Sequence, residues 1–189
     1  MWRRVSILSS LLVFACPWIL HGATLQPQED FHLDRFLGRW YEAAVVSDCP
    51  HYMRGKKGNP AIVALDLKRF GQASLTVTAT APRHGSCQQT SNQYASTDTA
   101  GSFFYHLARL GADVGVSVVH TDYDEYATML LLSTERTSQN TTTIVKLYTR
   151  SLDVRPALLH DFKTLVQKQG MREDDIIFHE KTASNSTCL

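Results

Sequence analysis

Apolar and polar positions alternate along most of the chain in short runs. In Leu75-Thr76-Val77-Thr78-Ala79-Thr80 every second residue is apolar, the period of a strand with one buried face. Comparable runs occupy residues 40–46, 61–67, 102–107, 114–121, 126–133 and 142–150, and a weaker one, rich in Gln and Ser, spans 87–95. Turn-forming stretches separate them at residues 55–60, 69–72, 98–101 and 138–140. Eight strands at near-regular spacing predict an all-β fold, an up-and-down antiparallel sandwich or barrel. The period then changes. Pro156 suits a first helical turn, Leu158, Leu159, Phe162, Leu165 and Val166 share one face, and Gly170 suits the stop. After this one helix, residues 175–178 read as a short extra strand. No repeat or linker divides the chain.

The first 23 residues follow a different logic. Arg3 and Arg4 precede an apolar run from Val5 to Leu20, and His21-Gly22-Ala23 closes it, the layout of a secretory signal peptide. The run is short for a membrane span and is broken by Pro17. Cleavage is expected near Gly22 or Ala23, leaving residues 24–189 as a single secreted domain without a membrane span. Those 166 residues carry 17 basic and 18 acidic side chains, a formal charge of −1 that calls for no nucleic acid. Sequons at Asn140 and Asn185 mark two candidate glycosylation sites. Cys16 leaves with the leader, so Cys49, Cys87 and Cys188 remain. Three is odd, and in an oxidising compartment one thiol is free or bonded outside the chain.

Several chemistries find no support. The seven histidines beyond residue 23 show no H-x-x-x-H pair, so no metal site is expected. There is no G-x-S-x-G and no phosphate-cradling glycine loop. Asp98-Thr99-Ala100-Gly101 resembles half of an aspartic-protease pair, and the second half is missing. His106 and His120, both on predicted strands, are assigned ordinary hydrogen-bonded roles.

Three separated stretches belong together. Phe36-Leu37-Gly38-Arg39-Trp40-Tyr41 enters the first strand, Thr121-Asp122-Tyr123 turns between the sixth and seventh, and Arg150 leaves the eighth. In this order, behind a leader and ahead of one helix, they resemble the lipocalins. That resemblance implies an eight-stranded calycin barrel whose closed end is plugged by Trp40 stacked under Arg150, an attraction worth ~1–2 kcal/mol beyond burial. Gly38, Thr121, Asp122 and Tyr123 then have structural roles beside the plug. A barrel of this size encloses one small ligand, and Phe103, Tyr105, Val116, Val118, Leu130 and Tyr148 are expected to line the cavity.

Within the lipocalins the chain is most similar to the alpha-1-microglobulin branch, through Ser47-Asp48-Cys49-Pro50, Gly85-Ser86-Cys87-Gln88 and residues 118–127. The resemblance implies a disulfide between Cys87 and Cys188, leaving Cys49 as an unpaired thiol near the mouth. It further implies a redox role for Cys49, with Lys146 supporting the thiolate, and haem as a candidate ligand held through Cys49 or His51, with no cofactor required. Arg54, Lys56 and Lys57 lie close enough in sequence to favour a thiolate. Two other lysines of that branch are replaced around Leu107 and Ser133, which weakens the redox expectation. The branch's precursor also carries a protease-inhibitor segment, for which these 189 residues hold no counterpart, so no protease inhibition is expected of them. Two further relatives set alternatives. The gamma chain of complement component eight bonds a partner through an odd cysteine in the same region, so Cys49 could bond a plasma protein. Lipocalin-type prostaglandin D synthase needs a cysteine in the second strand; residues 59–63 have none, so that activity is not expected.

Overall fold

The computed structural model describes residues 26–58, 60–72, 74–83, 86–179 and Cys188. The leader and the sequon at Asn185 lie outside the described residues. The alternating runs form β1 (Gly38–Ser47), β2 (Ala64–Phe70), β3 (Ser74–Arg83), β4 (Ser86–Ser96), β5 (Ser102–Leu107), β6 (Ala112–Thr121), β7 (Tyr126–Glu135) and β8 (Thr141–Thr149). Each pairs antiparallel with the next, and β1 pairs with both β2 and β8, closing an eight-stranded barrel. Closure removes the open edges that an alternating strand would otherwise present.

A short helix α1 (Leu33–Phe36) precedes β1 and seals one end. Trp40 is 1 % exposed and lies beneath the Arg150 guanidinium, 3.7 Å from ring centroid to Cζ. Arg150 donates to three backbone carbonyls, those of Tyr123 (2.9 Å), Arg39 (2.8 Å) and Arg35 (3.0 Å). It thereby ties the chain before β1 to the turn after β6. In that turn Thr121 Oγ1 accepts from Tyr123 N, and Asp122 Oδ1 accepts from Glu125 N and Tyr126 N. Gly38 has φ +97°, and a Cβ there would meet Arg150 Nη1 at 3.3 Å, so both its conformation and its lack of a side chain serve the plug.

Two elements depart from expectation. Residues 55–60 were expected as a turn, yet Pro50–Gly58 forms a helix, α2, at the open end. Gly55 and Gly58 obscure its helical signal, each disfavouring helix by about 1 kcal/mol. Burial overrides them, because Met53 packs with Val45 and with Ile177 of the last strand. The second strand starts at Ala64 rather than residue 61, since β1 and β2 part company there. The vacated edge of β1 is taken by β9 (Ile177–Phe178), which pairs with Ala44 and Val45. Outside the barrel, α3 (Pro156–Lys168) lays Leu158, Phe162 and Val166 over Ala43, Val46, Leu130, Val145 and Leu147. Cys87 on β4 is bonded to Cys188 with the Cα atoms 5.4 Å apart.

Candidate functional site

The barrel encloses a cavity of about 690 Å³, within the range of small-molecule sites. Its floor is Phe36 and Trp40, and its walls include Leu67, Leu75, Val77, Phe103, Met129, Leu131 and Tyr148. Tyr94 and Tyr105 stack face to face on one side, 4.4 Å between centroids and 1° apart in plane. Burial, with Tyr105 beside it, pushes the Tyr94 phenol well above its ordinary pKa. Toward the mouth a vestibule of about 510 Å³ shares Tyr52, Lys56, Tyr105, Leu131 and Lys146 with the cavity.

The junction of the two spaces holds a buried carboxylate. Glu42 on β1 is 1 % exposed. Its Oε1 pairs with Lys56 Nζ, its Oε2 accepts from Lys146 Nζ at 2.6 Å, and His179 Nε2 lies 3.1 Å from Oε1. The topology explains the meeting. Tyr52 and Lys56 lie four residues apart on one face of α2, so the packing that seats Met53 turns both inward. Inward alternation on β8 delivers Lys146 and Tyr148. His179 follows β9 and donates its backbone N–H to Ala43 O at 2.9 Å. Its Nδ1 lies 3.0 Å from Pro60 O. Both ring nitrogens therefore lie against oxygen atoms, which hold the ring from two sides.

Burial alone would raise the Glu42 pKa, but Lys146, Lys56 and His179 outweigh it and hold the carboxyl well below the ordinary carboxylate range. Lys146 is its counterpart: burial acts to lower it, and Glu42, Tyr148 and Tyr52 hold it well above the usual lysine value. Lys56 shares the same carboxylate, yet burial and the Lys146 charge leave it below the usual value.

The structure gathers some of the expected site residues and separates others. Phe103, Tyr105 and Tyr148 line the cavity, and Cys49 and His51 line the vestibule. Cys49 is half-buried and forms no disulfide, and its carbonyl accepts from Met53 N at 3.1 Å in the first turn of α2. Lys146 is engaged by Glu42, and so is Lys56, so neither ammonium is committed to the thiol. Val116 and Val118 pack inward with the closed-end core without lining either space. Leu130 is a correction: it faces outward onto α3, while Met129 and Leu131 face the cavity. Because α3 covers the outer face, residues 127–131 are all buried, and the alternation that would have fixed their direction disappears. His106 bonds Asp113 at 2.8 Å and His120 stacks on Tyr126, as ordinary polar partners.

Sequence reasoning overlooked Glu42 and His179. A signal for Glu42 was present, a lone carboxylate inside an otherwise apolar and aromatic strand, Trp40-Tyr41-Glu42-Ala43-Ala44-Val45. Charges are almost never buried unless paired. Among the described residues no group of three or more His, Cys, Asp or Glu side chains is placed to hold a metal.

Residues 37–183 match the lipocalin / cytosolic fatty-acid binding protein family. Protein AMBP of Pleuronectes platessa is 42 % identical over 184 residues, covering 94 % of this chain and 51 % of that protein. Prostaglandin-H2 D-isomerase of Mus musculus is 30 % identical over 155 residues, 82 % of this chain and 80 % of that one. Among solved structures, the siderocalin Ex-FABP, described as functioning through dual ligand specificities, superposes with a TM-score of 0.64 at 23 % identity. It covers 79 % of this chain and 96 % of that one. The chain spans about half the length of the curated AMBP relatives it matches.

Proposed function

The chain belongs to the lipocalin / cytosolic fatty-acid binding protein family, and from that premise we propose that it is a secreted carrier that holds a small hydrophobic or tetrapyrrole ligand in its barrel. The observation that carries this reading is the aromatic-floored cavity of about 690 Å³, apolar around its floor and mixed with polar groups above, opening through a vestibule beside Cys49. Apolar walls with a few placed polar groups suit a ligand that is mostly hydrocarbon or ring system. The leader-like residues 1–23 support secretion, and exposed Asn140 in the turn between β7 and β8 is accessible to a glycan. Haem enters as a candidate because Cys49 and His51 line the same vestibule. Radical scavenging by Cys49 has weaker support, since the nearest buried lysines are bound to Glu42. Isomerase activity is not assigned: Cys49 lies only in the vestibule, and no thiol lines the inner cavity among the described residues.

Trp40 provides the test. Trp2 and Trp18 fall in the expected leader, leaving Trp40 as the tryptophan of the secreted chain, at the cavity floor. Haem and a neutral apolar fluorophore are expected to quench Trp40 emission saturably, and Cys49→Ser to weaken haem alone. Absence of saturable quenching by either would overturn the carrier reading.

A second reading has its own observation. Cys49 is the one cysteine without a disulfide among the described residues, so a covalent plasma-protein partner would attach there. Intact mass after alkylation of the unreduced secreted protein decides: a single label on Cys49 supports the free thiol, and an added chain mass with no label supports the partner.

A further inference from the structure

We propose that the free edge of β4 is a docking site for a partner protein, which adds an extended segment with acidic ends there as an extra strand. This surface goes beyond the carrier reading and does not depend on it.

Barrel closure leaves one strand edge open, on β4 beside β5. β4 runs for 11 residues and β5 for 6. The two pair only at Ala95 with Phe104 and at Ser96 with Phe103, near the closed end. On its other side β4 pairs with β3 from Ser86 to Ala95 without a register shift. Toward the mouth β4 therefore overhangs β5, whose chain turns away at residues 108–110. Tyr94 and Tyr105 stack where the next rung would fall. The phase of the hydrogen bonds identifies the exposed backbone groups. Thr97 N donates to Ser102 O at 3.1 Å, so residue 97 directs its bonds at β5, and in an antiparallel strand every second residue does the same. Ala95 continues the series and is paired. Gln93, Ser91 and Gln89 follow, and their outward N–H and C=O groups have no backbone partner among the described residues.

The edge also lacks the usual defences. Sheet edges are commonly blunted by lysine, proline or a bulge. From Ser86 to Ser96 there is no charged residue and no proline, and the ladder with β3 has no bulge. Unpaired donors and acceptors in strand geometry match another extended backbone. Thr90 and Asn92 of β4 border the cavity together with His106 and Leu107 of β5, so the gap between the strands opens into it. A strand added to β4 turns alternate side chains toward that space. β5 and the turn after it stand beside the edge, which favours a single extended segment over a second barrel. Charge sets the segment's ends. Arg83 at the end of β3 and Arg109 after β5 border the vestibule at the mouth. Both are exposed, and neither forms an ion pair among the described residues, so they complement carboxylates on the incoming strand.

The test titrates the full secreted chain into a fluorescein-labelled peptide, Glu-Val-Thr-Val-Thr-Val-Thr-Val-Glu, and follows anisotropy. Saturable binding is expected. Two further peptides carry N-methyl groups, one on every valine nitrogen and one on every threonine nitrogen. Only one of these sets faces β4, so one peptide is expected to lose affinity about tenfold or more and the other to stay within about threefold. Exchanging both glutamates for lysine is expected to weaken binding about tenfold at low salt, a gap that narrows as salt rises. Ser91→Pro removes one outward N–H without touching the ladder to β3, a placement proline tolerates on an edge. It is expected to weaken the peptide about tenfold while quenching of Trp40 by a neutral fluorophore is kept. If that variant does not fold, the two methylated peptides decide on the parent protein. No saturable binding, equal losses with both methylated peptides, or full affinity in a folded Ser91→Pro protein would overturn the docking edge. A parent protein that sediments as a dimer, and a Ser91→Pro protein that sediments as a monomer, would overturn it in favour of a second copy on the same edge.

Discussion

At the scale of single residues, two charged side chains do most of the organising, and they do it differently. Arg150 is a structural fork: one guanidinium covers Trp40 and donates to three backbone carbonyls, contacts that a lysine's point charge cannot reproduce. Arg150→Lys is therefore expected to destabilise the fold by about 2–4 kcal/mol, read as a lower urea midpoint at unchanged slope. Glu42 is the opposite case, a carboxylate whose partners were brought to it by three other elements. Its folded pKa is depressed, so its stabilisation is fully present above the unfolded carboxylate value of about 4.3 and is lost as pH falls through the lower folded value. Glu42→Gln strands two largely buried ammonium groups, at a cost of about 3–5 kcal/mol near neutrality. The gap to the parent is expected to stay level above about pH 5 and to shrink steadily in stronger acid. Stability measured by urea titration at several pH values checks this, and a gap independent of pH down to the acid limit would refute the assignment.

At the scale of elements, the molecule was most legible where one face is wet. β6 alternates cleanly as far as Val118 and β3 as far as Val77, and over those stretches the inward residues could be read directly from the run. The plug was legible too, because Trp40, the turn at residues 121–123 and Arg150 are spaced by the topology itself. Legibility failed where tertiary packing decided the outcome. β7 is sandwiched between cavity and α3, so its five consecutive buried residues conceal which of them face in. α2 hides behind two glycines and is held by Met53. The charge cluster was invisible for a related reason: Glu42, Lys56, Lys146 and His179 are spread over 137 positions, and only closure of the barrel plus the docking of β9 places them together. Substitution separates the two faces of β7. Leu130→Ala is expected to cost about 2–4 kcal/mol by opening a void under α3, with ligand affinity of the folded protein unchanged. Leu131→Ala should cost less, since the void it leaves opens onto the existing cavity, and should alter the affinity for an apolar fluorophore. Paired thermal melts and titrations distinguish them, and the reverse pattern would require the opposite register.

At the scale of the whole molecule, the two ends of the barrel are secured by different means. The closed end relies on packing around Trp40, and that end needs no covalent help. The mouth has to admit a ligand, so its loops cannot be packed shut; there the Cys87–Cys188 bond ties the C-terminal segment to β4. The bond joins residues 101 apart, and on a chain-entropy account a loop near that length stabilises the native state by about 4–5 kcal/mol through the unfolded ensemble. Replacing both cysteines by serine is therefore expected to lower the urea midpoint strongly. The same replacement should leave the cavity intact, because neither cysteine lines it. Saturable quenching of Trp40 by a neutral fluorophore, measured without denaturant, should keep its affinity within about twofold of the parent, about 0.4 kcal/mol. Loss of that binding in a variant that still melts cooperatively would mean that the disulfide shapes the mouth as well as stabilising the chain. Opening and stability would then be coupled through β4 rather than divided between the two ends.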